Sequence, residues 1–162
     1  MERIKLKDNK IILVDNDDFG WLSGFKWRCV KSSKTFYAQK YQSPDSTITM
    51  HRLIMSPPKG YVVDHINRNG LDNRRSNLRI CTISQNKMNM LPRADNKSGY
   101  KGVDYVPRDG IWRATIKFKG QNKINLGSFR TPQEAALAYN EAANRYFGEF
   151  AYFNILKTVG HD

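Results

Sequence analysis

The chain is short of cysteine, of acid and of long apolar stretches, and each shortage removes a class of protein. Cys29 and Cys81 are the only cysteines in 162 residues. They make no C-x-x-C pair, so a structural zinc framework is not expected. Two buried free thiols in a reducing compartment fit this usage better than a disulfide. No apolar run approaches the ~20 residues that span a bilayer, so no membrane partner is expected. At the amino terminus Ile4 and Leu6 alternate with Lys5 and Lys7, which is not the apolar core of a secretory signal. A cytoplasmic protein is the expectation. Acids number 15 against 27 Lys and Arg, giving +12 and a pI near 9.8.

Such an excess favours a polyanionic partner, most often nucleic acid. The charge is also uneven. Residues 1–50 hold nine basic and six acidic residues, 51–97 nine and three, and 98–162 nine and six. The middle segment is therefore the most basic.

Punctuation divides the chain. Residues 1–56 read as a small β-rich segment. Ile11 to Val14 is an apolar run closed by Asp15, Asn16, Asp17 and Asp18, which suit the start of a short helix carrying Trp21 and Leu22. Trp27, Phe36, Tyr37 and Tyr41 have strand-like surroundings, and the alternation of Ile48, Met50 and Arg52 with Thr49 and His51 extends the strand pattern. Pro57, Pro58 and Gly60 mark a boundary. Residues 57–90 read as strand (Tyr61 to Val63), polar loop (Asn67 to Asn77), strand (Leu78 to Cys81) and helix (Ile83 to Met90). Thr82 and Gln85 supply a capping box for that helix. Residues 91–97 lack apolar periodicity and read as a basic linker. Residues 98–156 read as three strands, Tyr100 to Val106, Ile111 to Lys119 and Lys123 to Phe129, with turns at Asp109-Gly110 and Lys119-Gly120. A helix follows from Thr131 to Phe147, capped by Thr131 and Glu134 with Pro132 in its first turn and Gly148 as its stop. Ala135, Tyr139, Ala142 and Tyr146 share one stripe, with Ala136 and Ala143 beside it. Residues 157–162, with His161, read as tail. The fold class is α+β.

The chemistry concentrates in VVDHINRNGLDNRRSNLRICTISQNKMN, residues 62–89. Metal-assisted hydrolysis of a phosphodiester needs oxygen ligands for a divalent ion and a neutral imidazole to take a proton from water. Asp64 and Asn86 offer the oxygens, which suit magnesium or manganese. His65 offers the imidazole, with an ordinary pKa near 6.5. Asn86 reads equally as a helix-surface amide. Asn73 and Asn77 read equally as turn residues bonding their own backbone. His51 reads as a structural strand residue.

The stretch HRLIMSPPKGYVVDHINRNGLDNRRSNLRICTISQN, with Asp64-His65, Asn77 and Asn86 in order, resembles the HNH endonucleases of the phage and intron-homing type. That resemblance implies a ββα-metal catalytic unit holding one Mg2+ or Mn2+ through Asp64 and Asn86. It implies His65 as general base, and Asn77 as the residue orienting it, with Asn73 as competitor. Arg68, Arg74, Arg75 and Arg79 would then touch phosphates, which position DNA without reading its sequence. If the chain is phage-encoded, its compartment is the bacterial host's cytoplasm.

A second resemblance covers residues 98–154. SGYKGV, IWRATIKF, LGSF, TPQEAALAYNEAA and Phe153-Asn154 resemble the ethylene-response-factor (Apetala-type) DNA-binding domain, a three-stranded antiparallel sheet on one helix. Alternation along the central strand assigns Trp112, Ala114, Ile116 and Phe118 to the core and Arg113, Thr115, Lys117 and Lys119 to the other face, toward DNA. Lys101 and Lys123 match basic family positions that touch DNA. Asp104 and Asn125 depart from the plant pattern, so the plant target sequence does not carry over. The combined expectation is a site-specific endonuclease acting on double-stranded DNA as monomer or homodimer. The alternatives are a DNA-binding regulator with an inactive nuclease site, or an RNA-binding protein.

Overall fold

The computed structural model describes residues 1–32, 34–118 and 122–156. Lys119, the expected Lys119-Gly120 turn and the 157–162 tail with His161 lie outside the described residues. The chain divides into two compact units, Met1–Asn86 and Lys87 onward. As expected, the class is α+β.

The first unit opens with an antiparallel hairpin, β1 (Glu2–Lys5) and β2 (Ile11–Val14). The acidic cluster then starts helix α1 (Asn16–Ser23), with Asp17 and Asp18 in its first turn, where carboxylates favour the helix dipole. A meander follows, β3 (Arg28–Ser32), β4 (Thr35–Ser43) and β5 (Ser46–Thr49), antiparallel throughout. The expected strand through Met50 and Arg52 stops at Thr49. Helix α2 (Met50–Met55) takes over, so His51 is helical. Met50 and Ile54, one helical turn apart, are both buried. Their spacing suits a helix face, and over so short a segment it outweighs an apparent period of two.

Strands β6 (Tyr61–His65) and β7 (Leu78–Thr82) pair antiparallel. Helix α3 (Ile83–Asn89) follows directly. Its capping box forms as expected: the Gln85 N–H donates to Thr82 Oγ1 at 3.2 Å, and the Thr82 N–H to Gln85 Oε1 at 2.9 Å. A single apolar core joins these pieces. Ile12 and Val14 of β2, Leu22 of α1, Ala38 of β4, Met50 and Ile54 of α2, Val63 of β6 and Leu78 of β7 bury one another. Each large aliphatic contributes about 1.5–3 kcal/mol by leaving water.

The second unit packs an antiparallel sheet, β8 (Val103–Val106), β9 (Ile111–Ile116) and β10 (Ile124–Phe129), in the order β10-β9-β8. Helix α4 (Pro132–Phe147) covers it, and its Thr131–Glu134 capping box is complete. Ala135, Ala136, Tyr139, Ala142, Ala143 and Phe147 are buried, with Tyr146 half-buried. The alternation along β9 is as read from sequence. Ala114 and Ile116 are buried and Trp112 and Phe118 pack partly beneath, whereas Arg113 and Lys117 are exposed. Small alanines let the helix approach closely. Gly102, at φ +76°, lies so near Tyr139 that an added Cβ would meet its ring at 2.1 Å.

Candidate active site

Strand β6 delivers Asp64 and His65 to the head of a twelve-residue polar loop, and both side chains are buried. Asp64 lies opposite Arg79 in the β6–β7 ladder, as His65 does Leu78. Arg79 closes the gap with its guanidinium: Nη2 donates to Asp64 Oδ2 at 2.7 Å and Nε at 3.0 Å. The Arg79 side chain is only 11% exposed, so this is an interior ion pair.

The loop is held by amides. Asn77 Nδ2 donates to Asn67 Oδ1 at 3.0 Å and to the Asp72 carbonyl at 2.8 Å, and Asn77 Oδ1 accepts the Asn67 N–H at 3.0 Å. Asn67 Nδ2 also reaches Asp72 Oδ2 at 2.8 Å. Asp72 takes a forked pair from Arg74, at 2.7 and 2.6 Å, which lowers its pKa below the usual carboxylate value. Arg75 forks onto Asp18 of α1 at 2.8 Å twice, and its N–H donates to Asp15 at 2.7 Å. The loop also bridges to β2, through the Leu13 N–H to Leu71 O at 2.9 Å and the Asn73 N–H to Leu13 O at 2.8 Å. The first segment of the chain is thus the wall on which the loop is built.

Asn73, fully buried, brings Oδ1 to 3.4 Å from His65 Nε2, a long contact but the described amide contact to that ring. Asn77 clasps the loop, while Asn73, the competitor in the sequence reading, lies beside the imidazole. Burial is the main force lowering the His65 pKa; the Asn73 bond and the charges of Asp64 and Asp72 oppose it. The ring is therefore neutral and able to accept a proton at pH 7.

Two further aromatic rings enclose it. His51 of α2 meets His65 edge-to-face with centroids 4.9 Å apart, and Tyr37 of β4 is 5.7 Å from His65 and 5.3 Å from His51. The Thr49 hydroxyl is 3.0 Å from His51 Nε2, while Nδ1 is buried without a hydrogen-bond partner. Burial first, then His65 and Arg52, push the His51 pKa down to about 3. Sequence reasoning set His51 aside and did not single out Tyr37 for the site. No spacing links positions 37, 51 and 65; only the meander and α2 bring them together.

Asn86, in the middle of α3, is half-buried. Among the described residues no three His, Cys, Asp or Glu side chains cluster as metal ligands. The oxygen donors expected from the sequence are one carboxylate, Asp64, and one amide, Asn86. Such a set suits a hard ion that keeps much of its hydration.

The DNA-facing candidates divide by environment. Arg68 occupies a left-handed turn at φ +64°. Arg74, Arg75 and Arg79 are each paired to a carboxylate as described, although over half of the Arg75 side chain is exposed. Arg113 on β9 and Lys117 just beyond its end are exposed, with Thr115 half-buried between them. Lys123 is exposed and 4.0 Å from Asp104. Lys101 is engaged inside its own unit: its Nζ donates to the carbonyls of Lys87, Met88 and Met90, capping the end of α3. Asn125 accepts the Gly127 N–H at the β10 bulge. Of the two free cysteines, Cys81 is buried and Cys29 partly so.

Residues 56–88, which contain Asp64, His65, Asn73, Asn77 and Asn86, match the family described as HNH endonuclease. The chain is 32% identical over 118 residues to Protein 3.8 of Escherichia phage T7, covering 72% of this chain and 96% of that one. It is 32% identical over 143 residues to an uncharacterized HNH endonuclease, L560, of Acanthamoeba polyphaga mimivirus, covering 82% and 73%. A 47-residue stretch is 47% identical to the dehydration-responsive element-binding protein 2E of Oryza sativa subsp. japonica, covering 28% of this chain and 15% of that protein. No solved structure matches. The buried Asp-His pair, its amide-clasped loop and these relatives agree, and the chain belongs to the HNH endonuclease family.

Proposed function

We propose that the chain is a site-specific DNA endonuclease of the homing type, hydrolysing phosphodiester bonds with one divalent ion and a histidine general base. The observation that carries this reading is the buried neutral imidazole of His65, beside Asp64 and held by Asn73. His65 takes the proton from the attacking water. Asp64 and Asn86 would hold Mg2+ or Mn2+, which would supply electrostatic stabilisation of the phosphate and leaving oxygen. Asn73 and the rings of His51 and Tyr37 fix the plane of the imidazole, and Asn77 keeps the loop closed. The products are a 5′ phosphate and a 3′ hydroxyl. One such centre cuts one strand, so a monomer nicks and a homodimer cuts both.

Residues 98–156 serve as the reader of double-stranded DNA in this proposal. Arg113, Thr115 and Lys117 offer one sheet face to the groove, and Lys123 adds a phosphate contact. Exposed Arg75 and the loop residues Arg68 and Arg74 hold phosphate near the cut. Lys101 contributes through α3 rather than by direct contact.

Conversion of supercoiled plasmid to nicked circle tests the reading. Nicking is expected with magnesium or manganese, none with EDTA, and none with His65→Ala at any ion concentration. Cutting retained by His65→Ala would remove His65 as the base. A second reading rests on the Arg79–Asp64 pair, which sets an internal cation against the ion. Binding without nicking in either metal would make the chain a DNA-binding regulator on an inactive HNH scaffold.

A further inference from the structure

From Phe19 to Pro44 the chain carries five basic residues, Lys26, Arg28, Lys31, Lys34 and Lys40, and no acid. The same span holds seven of the 19 aromatic residues. Its fold turns this composition into a surface. Successive odd residues of β4 share a face. Tyr37 stands at one end, against His65 and His51. Gln39 and Tyr41 continue outward, with Thr49 and Thr47 opposite them on β5. Arg28 joins this face from β3, opposite Gln39. Its guanidinium lies 4.4 Å over the Tyr41 ring, donates to the Tyr41 hydroxyl at 2.9 Å and reaches Gln39 Oε1 at 3.3 Å. Two of its five N–H donors are used in this way. The fork is thus oriented while exposed, although among the described residues no carboxylate is its partner. That distinguishes Arg28 from Arg74, Arg75 and Arg79.

The sheet is fixed to the catalytic loop. The Gly70 N–H donates to Thr35 Oγ1 at 3.0 Å, and Gly70 lies so close to β4 that a Cβ there would meet the Phe36 carbonyl at 2.4 Å and the Tyr37 ring at 2.5 Å. The distance from Tyr37, beside His65, to Arg28 is thereby set by the strand. Two to four residues at ~3.3 Å each give about 7–13 Å, or about two to four nucleotides at ~3.4 Å of helix axis per phosphate on one strand.

We propose that this face is a second DNA-contact surface, in which Arg28, held by Tyr41 and Gln39, grips a backbone phosphate about two to four nucleotides from the one that is cut. The position relative to the cut rests on the nuclease reading, but the binding does not.

The test uses full-length protein in the His65→Ala background with EDTA, and a fluorescent duplex taken from the same plasmid. Arg28→Ala is expected to weaken binding at least threefold near 0.1 M salt and to lower the log–log salt slope by about 0.9, the signature of one lost phosphate contact. Arg28→Lys should keep the slope and lose part of the affinity, because a lysine cannot stack and fork as arginine does. Lys7→Ala removes an equal charge from the exposed β1–β2 turn, whose Lys10 lies over Phe36 on the opposite face of β4, and should leave the slope unchanged. With His65 restored and magnesium added, phosphate-ethylation interference read against the nick should place the Arg28 contact two to four nucleotides from the cut. Arg28→Ala and Tyr41→Ala proteins that bind with the parent affinity and slope would overturn the proposal. If no protein nicks in any metal while Arg28→Ala still lowers the slope, the surface stands and the nuclease reading fails. Normal nicking with an unchanged slope fails the surface alone.

Discussion

His65 is buried and His51 half-buried, and folding lowers the pKa of both. The consequence has a definite sign. A histidine lowered on folding binds its proton first in the unfolded chain, so stability is full above pH 6.5 and declines as pH falls from 6.5 toward 3, where folded His51 takes its proton. Melting temperatures at pH 7 and pH 5 should show this decline, and His51→Gln should make it shallower. An equal decline in the variant would show that His51 does not supply it. The same shift moves the acid limb of kcat/KM for plasmid nicking below pH 6.5, since that profile reports the free enzyme's base. These are the residues that the sequence revealed least evenly. Asp64 and His65 were legible because adjacent polar residues close an apolar strand. The roles of Asn73 and Asn77 were not separable by sequence, because either side chain can close a turn. Only the loop's path, bonded to Leu13 across 60 residues of chain, separates them.

At the scale of elements, local signals were legible where capping chemistry is explicit. Both boxes, Thr82–Gln85 and Thr131–Glu134, form as read. The failure was α2, whose six residues are too few to display a period. Helix α2 depends on the core for its existence, since short helices are marginal in water. Close approach makes another element sensitive. Gly70→Ala must force β4 and the loop apart, because backbone as well as ring lies within 2.5 Å of the new methyl. Overpacking of this kind costs about 1–3 kcal/mol. A chemical-denaturation midpoint should fall accordingly, together with nicking. A variant as stable as the parent would show that the loop moves freely over the strand.

At the scale of the whole molecule, α3 begins in one unit and ends in the other. Asn86 belongs to the first unit, whereas the last carbonyls of the helix are capped by Lys101 in the second. Truncation after Met90 therefore removes a cap as well as the proposed reader. Nicking by the truncated chain should fall beyond the loss explained by affinity, visible as a lower rate at saturating DNA. An unchanged saturating rate would show that α3 stands without its cap. Sequence punctuation located a boundary near this helix but gave no sign that one lysine would stabilise its end, because lysines on basic chains are too common to single out.

The second unit also ties its ends together. Asn154 accepts the Lys101 N–H at 2.7 Å and donates to the Lys101 carbonyl at 3.0 Å, while Asn140 clasps the backbone of Asn154 in the same two-way manner. Residues 53 apart in the chain are thus neighbours in space. A fold whose entrance and exit adjoin can be spliced into an unrelated gene at a single point, adding a function without stretching the host.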